Sequence, residues 1–490
     1  MATLSTWTPL QRWLFWLGLL LMSTGFVWGY LHGYALLMAL PLVVVVAMGL
    51  LFRTETTVLV FGALAPLSIN FQDLGAGLGL ALPTEPVYIL AFMAIVVWFM
   101  LKGQFDKRLL KHPIVLAVLA YAGWLWLASA FSSMPMVSFK FSLARTWYIV
   151  VYFFFVLRLF RQYQTIHQFL KLFAFFTLTL VVITLVKHAA DGFARSSSYG
   201  ISWPFFPDHG MYAAAIAFAV PILAFYTFNA RAMGFSMPWV PLLAFALLIL
   251  LFGILVSYTR ATWLSLIAAM GVFALLKMKV RFGYIVLLLL VGGTVALSQQ
   301  DQILYSLEAN KQGSSDELEG HVKSVSNITT DPSNLERINR WKCAGRMVSE
   351  KPLFGFGPGT YVFQYAPFQK SSELTIISTH AGDLGDAHSE FFSAMSESGY
   401  PGLFFFVALV LSTLWVGFRL VARTSSRPVR ITATLALFGL STYYFHALLN
   451  NYSQYDKIGV PFWVFTAIIV ALDLYHRHEE PTEGHATESA

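Results

Sequence analysis

The stretch LLILLFGILVSYTRATWLSLIAAMGVFALL, residues 247–276, decides the fold class. It carries one charged residue, Arg260, with apolar sequence on both sides. A helix needs about 20 apolar residues to cross the hydrocarbon core of a bilayer. Extended back to Trp239, the stretch offers two spans, Trp239 to Val256 and Trp263 to Leu276, with Arg260 between them. A guanidinium at mid-membrane costs about 2.5–3.5 kcal/mol on insertion scales, and less near the interface. Arg260 is therefore expected at a span end, in a short loop.

Composition extends this reading to the whole chain. Of 490 residues, 57% are hydrophobic and only 12% are charged, and the mean hydropathy is +0.65. A soluble chain would carry about 25% charged residues, so most of this one belongs in lipid. The net charge of +7 does not mark a nucleic-acid binder: the basic residues are scattered through short loops between apolar runs, where the positive-inside rule accounts for them. The single cysteine, Cys343, excludes an intramolecular disulfide and a cysteine-based zinc cage.

Apolar runs recur from Trp13 to Leu474, about fourteen in all with twelve as a floor. The expected fold is an all-α polytopic membrane protein of about 12–14 transmembrane helices with one large loop domain. The expected division is spans with short loops over 1–297, a loop domain over 298–398, final spans over 399–475 and a disordered tail over 476–490. The first run, Trp13 to Tyr30, lacks a small-residue cleavage site and is expected to stay as an anchor. Alternate loops carry Arg53, Lys107, Arg158, Arg231, Lys277 and Arg423, which assigns those loops and both termini to the cytoplasm. The region 298–398 then faces outward, the periplasmic side in a bacterium.

Several cations break that rule. Lys140, Arg145, Lys187, Arg195, Arg260 and Lys457 occupy outer loops or span ends, where topology gives no reason for them. Each one alone could snorkel to lipid phosphate or cap a helix. As a set on one membrane face they suggest a site for an anion, most simply a lipid-linked phosphate or diphosphate.

The outer region has its own signals. Asp331 and Pro332 read as a helix start, and Pro352 as its stop. Leu335, Ile338, Trp341, Gly345 and Val348 give the helical period, with Arg337 and Arg340 about one turn apart and able to share a face. GFGPG, residues 355–359, lacks the strand, helix and lysine of a phosphate loop and reads as a tight turn. In DAHSEFFSAMSESGYPG, residues 386–402, Asp386 reads as an N-cap that places His388 in the first helical turn. A helix N-terminus favours the neutral imidazole, the form a general base requires. Glu390 and Glu397 fall on one face, where either could hold the imidazole or pair with an arginine, and SGYPG ends or kinks the helix.

The spans, TRATWLSL (259–266), RINRWKCAGRMVSEKPLFGFGPGTYVF (337–363) and HSEFFSAMSESGYPG (388–402), in that order, resemble the bacterial O-antigen ligase and polymerase superfamily, with its WaaL-like ligases and Wzy-like polymerases. The resemblance implies a metal-independent, membrane-embedded glycosyltransferase of GT-C-like architecture with no cofactor. It implies a donor glycan on undecaprenyl diphosphate and, for a ligase, a lipid A-core sugar as acceptor, at the periplasmic face of the bacterial inner membrane. Carried over by position, Arg260 and Arg340 look like the family's essential arginines, His388 like its essential histidine and Arg195 like a further arginine ahead of a span. Arg145, Lys187, Arg337, Glu390 and Glu397 are added as substrate-binding candidates, and membrane lipids are further expected partners. PDHG, residues 207–210, departs from the family's Pro-Asn pattern and leaves Asp208 and His209 without an assigned role. A polymerase joining two lipid-linked repeats is the nearest alternative. The single basic set and the single large late loop favour a ligase, and the absence of paired repeats argues against a transporter.

Overall fold

A computed structural model describes residues 40–71, 80–102, 106–298, 332–375, 378–379 and 385–477, with scattered positions between 13 and 28. Part of the expected first span, Trp13 to Tyr30, the stretch 299–331 and the tail from 478 lie outside the described residues. The protein is an all-α polytopic membrane protein. Among the described residues, nine helices are long and apolar enough to cross a membrane.

In chain order the helices are α1 (Leu40–Phe52), α2 (Thr54–Ala63), α3 (Thr84–Lys102), α4 (Pro113–Ala130), α5 (Pro135–Tyr148), α6 (Tyr163–Ala190) and α7 (His209–Phe228). They continue with α8 (Val240–Leu255), α9 (Arg260–Lys277), α10 (Phe282–Ser298), α11 (Pro332–Glu350), α12 (Glu390–Arg423), α13 (Arg427–His446) and α14 (Asp456–Ala471). A π-helical stretch, Ile149–Phe155, carries α5 on to Leu159 without a break. α13 is as long as a span but less apolar, because Arg427, Arg430 and several threonines and serines lie in it.

One expected span is corrected. Thr57 to Ile69, one of the apolar runs counted above as a span, is too short to cross: α2 ends at Ala63 after 10 residues, a rise of about 15 Å against a core of about 30 Å. A short turn containing Pro66 follows, then an antiparallel pair of strands, β1 (Ile69–Phe71) and β2 (Leu80–Leu82), with Asn70 opposite Ala81. Proline lacks the amide hydrogen that a continuing helix needs.

The last two helices form the centre of the bundle. Every residue of α14 is buried, and α13 packs on α7, α9 and α14. The edge is apolar in the opposite sense: α8 turns Leu242, Phe245, Leu248 and Leu255 outward. Lipid is as apolar as leucine, so burial of α14 gains little from the hydrophobic effect; close packing and internal polar pairs specify its place. One such pair is Lys457 with Asp456, 3.2 Å apart. The ammonium also donates to Ser68 at 2.7 Å and Asn70 at 2.9 Å, and Asp456 accepts from Ser68 and Thr84 at 2.7 Å each. Lys457, read from the sequence as part of the outer cation set, is thus a wholly buried strut tying α14 to the β1 turn.

A second, smaller core stands on the bundle, where Ala344 and Met347 of α11 meet Phe356, Tyr361, Tyr365 and Ala387. α11 spans the expected residues, but its buried face is rotated from the expected one. Glu336, Asn339, Arg340, Cys343, Ala344, Met347 and Val348 are buried, whereas Leu335, Ile338, Trp341 and Gly345 are only partly so. The internal Glu336–Arg340 pair and the small residues Cys343 and Ala344 allow the close approach that apolar periodicity assigned elsewhere.

Candidate active site

His388 does not lie in the helix as expected. α12 begins at Glu390 with Ser389 as its N-cap, and His388 precedes it with φ +47°, a left-handed conformation that cannot continue a helix. Asp386 caps a local turn: its Oδ1 accepts from the His388 backbone N–H at 2.8 Å and lies 3.2 Å from His388 Nδ1. A proton on Nδ1 shared with this carboxylate leaves Nε2 as the acceptor. Asn451 fixes the carboxylate in turn. Its amide nitrogen faces Asp386, 2.8 and 3.1 Å from the two oxygens, and its oxygen accepts from Ser393 Oγ at 3.2 Å; the opposite assignment would set oxygen against oxygen. The His388 side chain keeps 36% of its exposure. Burial is the largest influence on its pKa and holds it below the ordinary histidine value; Asp386 pulls it up, and Arg337 and Arg340 add to the lowering.

Arg337 and Arg340 have different surroundings. Arg340 is 3% exposed. Its Nε donates to Glu336 at 2.6 Å, its Nη2 to Thr379 at 3.2 Å, and its guanidinium lies 4.0 Å above the Tyr365 ring. Gly385 closes over it so tightly that a side-chain carbon there would overlap Nη1. Burial would raise the Glu336 carboxyl, but hydrogen bonds from Ser378, Arg340 and Thr375 hold its pKa below the usual range. Arg337 leaves this cluster and reaches toward the bundle, where its Nε donates to the Leu449 carbonyl at 3.3 Å. Burial lowers its pKa, and Tyr452 and Asp386 oppose that.

The remaining arginines, Arg195 and Arg260, reach the same place from the segment between α6 and α7 and from α9. Arg260 is the first residue of α9, at the junction with α8, as its sequence position predicts. Thr259 Oγ1 donates to the His209 carbonyl at 3.2 Å and ties this turn to the start of α7. There Asp208 serves as N-cap, accepting from Met211 N at 2.8 Å, and Tyr452 donates to the same carboxyl oxygen at 3.4 Å. Arg195 and Arg337 are the charged neighbours of Arg260, and they flank His209 together with Asp208. The structure thus gathers Arg195, Arg260, Arg337, His209 and His388. Close cations repel one another, and an anion between them relieves the repulsion.

Four other candidates lie apart. Arg145 is buried in α5, where its Nη1 donates to the Ser453 carbonyl at 2.6 Å and the Ser453 hydroxyl at 2.9 Å. Glu390 holds the same residue from α12, accepting from Ser453 N at 2.8 Å and Tyr443 Oη at 2.5 Å. Glu397 accepts from Tyr361 N at 3.0 Å. Lys187 is exposed at the end of α6, bonded to the Trp203 carbonyl at 2.5 Å.

The GFGPG turn clasps a break in α12. Phe356 and Gly357 donate to the Ser396 and Glu397 carbonyls at 3.0 and 2.8 Å, and Tyr400 donates back to Pro352 at 2.9 Å. At the break Gly399 has φ 70°, and a side-chain carbon there would collide with the Leu353 carbonyl. SGYPG therefore kinks the helix and does not end it.

The sequence reading missed Asn451 and Tyr452. They lie in LLNNYSQY, residues 448–455, whose only signal is a polar turn between two spans. Among the described residues no three His, Cys, Asp or Glu side chains converge as a metal site would require.

The O-antigen ligase family profile matches residues 245–407, from α8 into the second half of α12. The match includes Arg260, Arg337, Arg340, His388, Glu390 and Glu397, and leaves out Arg145, Lys187, Arg195 and the turn holding Asn451. No curated protein matches the chain. With its bundle of apolar helices and the matched segment running through the His388 site, the chain is similar over about a third of its length to the O-antigen ligase family.

Proposed function

We propose that this ligase- or polymerase-type enzyme is an O-antigen ligase, moving a glycan from undecaprenyl diphosphate to a sugar hydroxyl of lipid A-core. The observation that carries the chemistry is a carboxylate-oriented His388, its pKa held below the ordinary value by burial, in the same cluster as arginines that are charged neighbours of one another. The acceptor oxygen attacks the anomeric carbon as the bond from that carbon to the diphosphate oxygen breaks. The electron pair leaves with the diphosphate, the hydroxyl proton goes to His388 Nε2, and the anomeric configuration inverts. Arg195, Arg260 and Arg337 stabilise the departing charge, a task for which the guanidinium fork suits paired phosphate oxygens. Arg340, packed between Glu336 and Tyr365, is a positioning residue in this scheme: it shapes the loop over the site and contributes to the field at His388.

The basic loops Lys107–Arg108, Arg158–Arg161 and Lys277–Arg281 fall at the opposite end of the bundle from His388, which supports a periplasmic site, cytoplasmic termini and a location in the bacterial inner membrane. The region 298–398 is then the periplasmic loop domain. The test is to supply purified protein with lipid-linked glycan, with and without lipid A-core. Transfer that requires lipid A-core supports the ligase. Glycan chains that lengthen on the polyprenyl carrier without it would make the protein a polymerase.

A further inference from the structure

A cavity of ≈ 1100 Å³ opens between α7, α8, α9, α12 and α13, far from His388. α7, α9 and α12 line it with the half remote from the active site. α7 starts at His209 and first lines it at Val220; α9 starts at Arg260 and first lines it at Met270; α12 starts at Glu390 and first lines it at Trp415. The interior is apolar, with Phe225, Phe273 and Phe438 among its walls. The rim is basic, bearing Lys277, Lys279, Arg281, Arg419, Arg423 and Arg430, and no carboxylate lines it among the described residues.

The positive-inside rule calls for cations at this end, and several of them have partners. Asp106 takes Arg108 at 2.9 Å and Arg161 at 3.0 Å, Asp473 takes Arg419 at 2.6 Å, and Arg158 lies 4.3 Å over Trp98. Lys277, Lys279, Arg281 and Arg423 are exposed and have no ion-pair partner among the described residues. Positive charge is thus concentrated at the mouth of an apolar slot, where α9 and α12 end.

We propose that this cavity binds an anionic glycerophospholipid, its phosphate on the basic rim and an acyl chain in the apolar interior. A neutral lipid would gain nothing from the rim, because an apolar slot is no better a solvent for its chains than the bilayer itself. Selectivity therefore rests on charge. The site is independent of the proposed transfer reaction.

The test reconstitutes the purified full-length protein in equal parts dioleoylphosphatidylglycerol and dioleoylphosphatidylcholine, extracts it, and reads the retained lipids by native mass spectrometry. Phosphatidylglycerol should be retained about tenfold over phosphatidylcholine. The combined variant Lys277→Gln, Lys279→Gln, Arg281→Gln and Arg423→Gln should bring the ratio near parity. Because those residues also set membrane orientation, two further measurements keep the test decisive. Rising ionic strength should erode the preference in the unaltered protein, and Ala224→Phe, which fills the slot without changing charge, should also reduce it. Equal retention of the two lipids by the unaltered protein would overturn the proposal. A preference lost on charge removal but kept in Ala224→Phe would overturn the cavity as the binding site and leave only surface attraction.

Discussion

Arg145 and Arg337 both hold the segment 447–455, one through Ser453 and the other through Leu449, but they keep different company. Around Arg145 the partners form a closed chain of hydrogen bonds: Ser453 on the guanidinium, and Ser453 N and Tyr443 on Glu390. Around Arg337 the neighbours include Arg260, His209 and His388, a gathering of cations and imidazoles. Residues of the same type thus sit in different settings: Arg145 in a hydrogen-bonded network with Ser453 near Glu390, and Arg337 among further cations and imidazoles with Asp386 and Asp208 nearby. The first network fixes the segment in place; the second brings together the groups to which the proposed reaction assigns the diphosphate and the base.

The sharpest way to break this contrast is at His388. His388→Gly keeps the left-handed backbone without strain and should lower turnover by about 10²- to 10⁴-fold, with the melting temperature little changed. Wild-type turnover in that variant would remove the base from the mechanism.

Next come the two arginines of α11. Arg337→Lys keeps the charge but loses the fork, and should cut kcat by about 10²-fold. Arg340→Met breaks a buried ion pair and strands Glu336, so it should cost about 3–5 kcal/mol of stability, read as a depressed unfolding transition. If Arg340→Met instead left stability intact and removed turnover, the two roles would have to be exchanged.

A smaller effect is the pH profile. The base works when neutral, so the rate should rise with pH through the His388 pKa, with its acid limb below the ordinary histidine value near 6.5. Arg337→Gln removes a cation that lowers this pKa and should move the limb to higher pH. Asp386→Asn removes the anion that raises it and should move the limb lower. Shifts in the opposite directions, measured on residual activity, would mean another group titrates. The smallest expected effect is Asn451→Ala, which loosens Asp386 without touching His388 and should slow turnover by about two- to fivefold with no change in melting.

How much of this could be read from the sequence depended on the kind of interaction. Spans and their order were legible because lipid imposes a length and a composition, and Arg260 stood out as a lone charge in an apolar stretch. The kink at SGYPG was legible from its glycines and proline. The division between Arg337 and Arg340 was not, because residues three apart lie within about 60° on a helix and periodicity cannot say which one is covered. One clue was present: Glu336 precedes Arg340 by four, the spacing of an internal ion pair. The conformation of His388 was hidden, since a left-handed residue other than glycine leaves no trace in composition. Asn451 and Tyr452 act through a fold that brings residues 208, 386 and 451 together from three separate segments, and nothing local records that.

The burial of α14 has a consequence for how the chain is made. The helix on which α7 and α13 rest is translated after both of them, so during synthesis they enter the membrane with faces that have no lasting neighbour. Ser68 and Thr84 likewise wait for the carboxylate of Asp456, and Asn70 for the ammonium of Lys457, nearly four hundred residues downstream. Insertion and assembly are therefore separate events in this protein, and assembly cannot finish until ribosomal delivery of α14 supplies its centre.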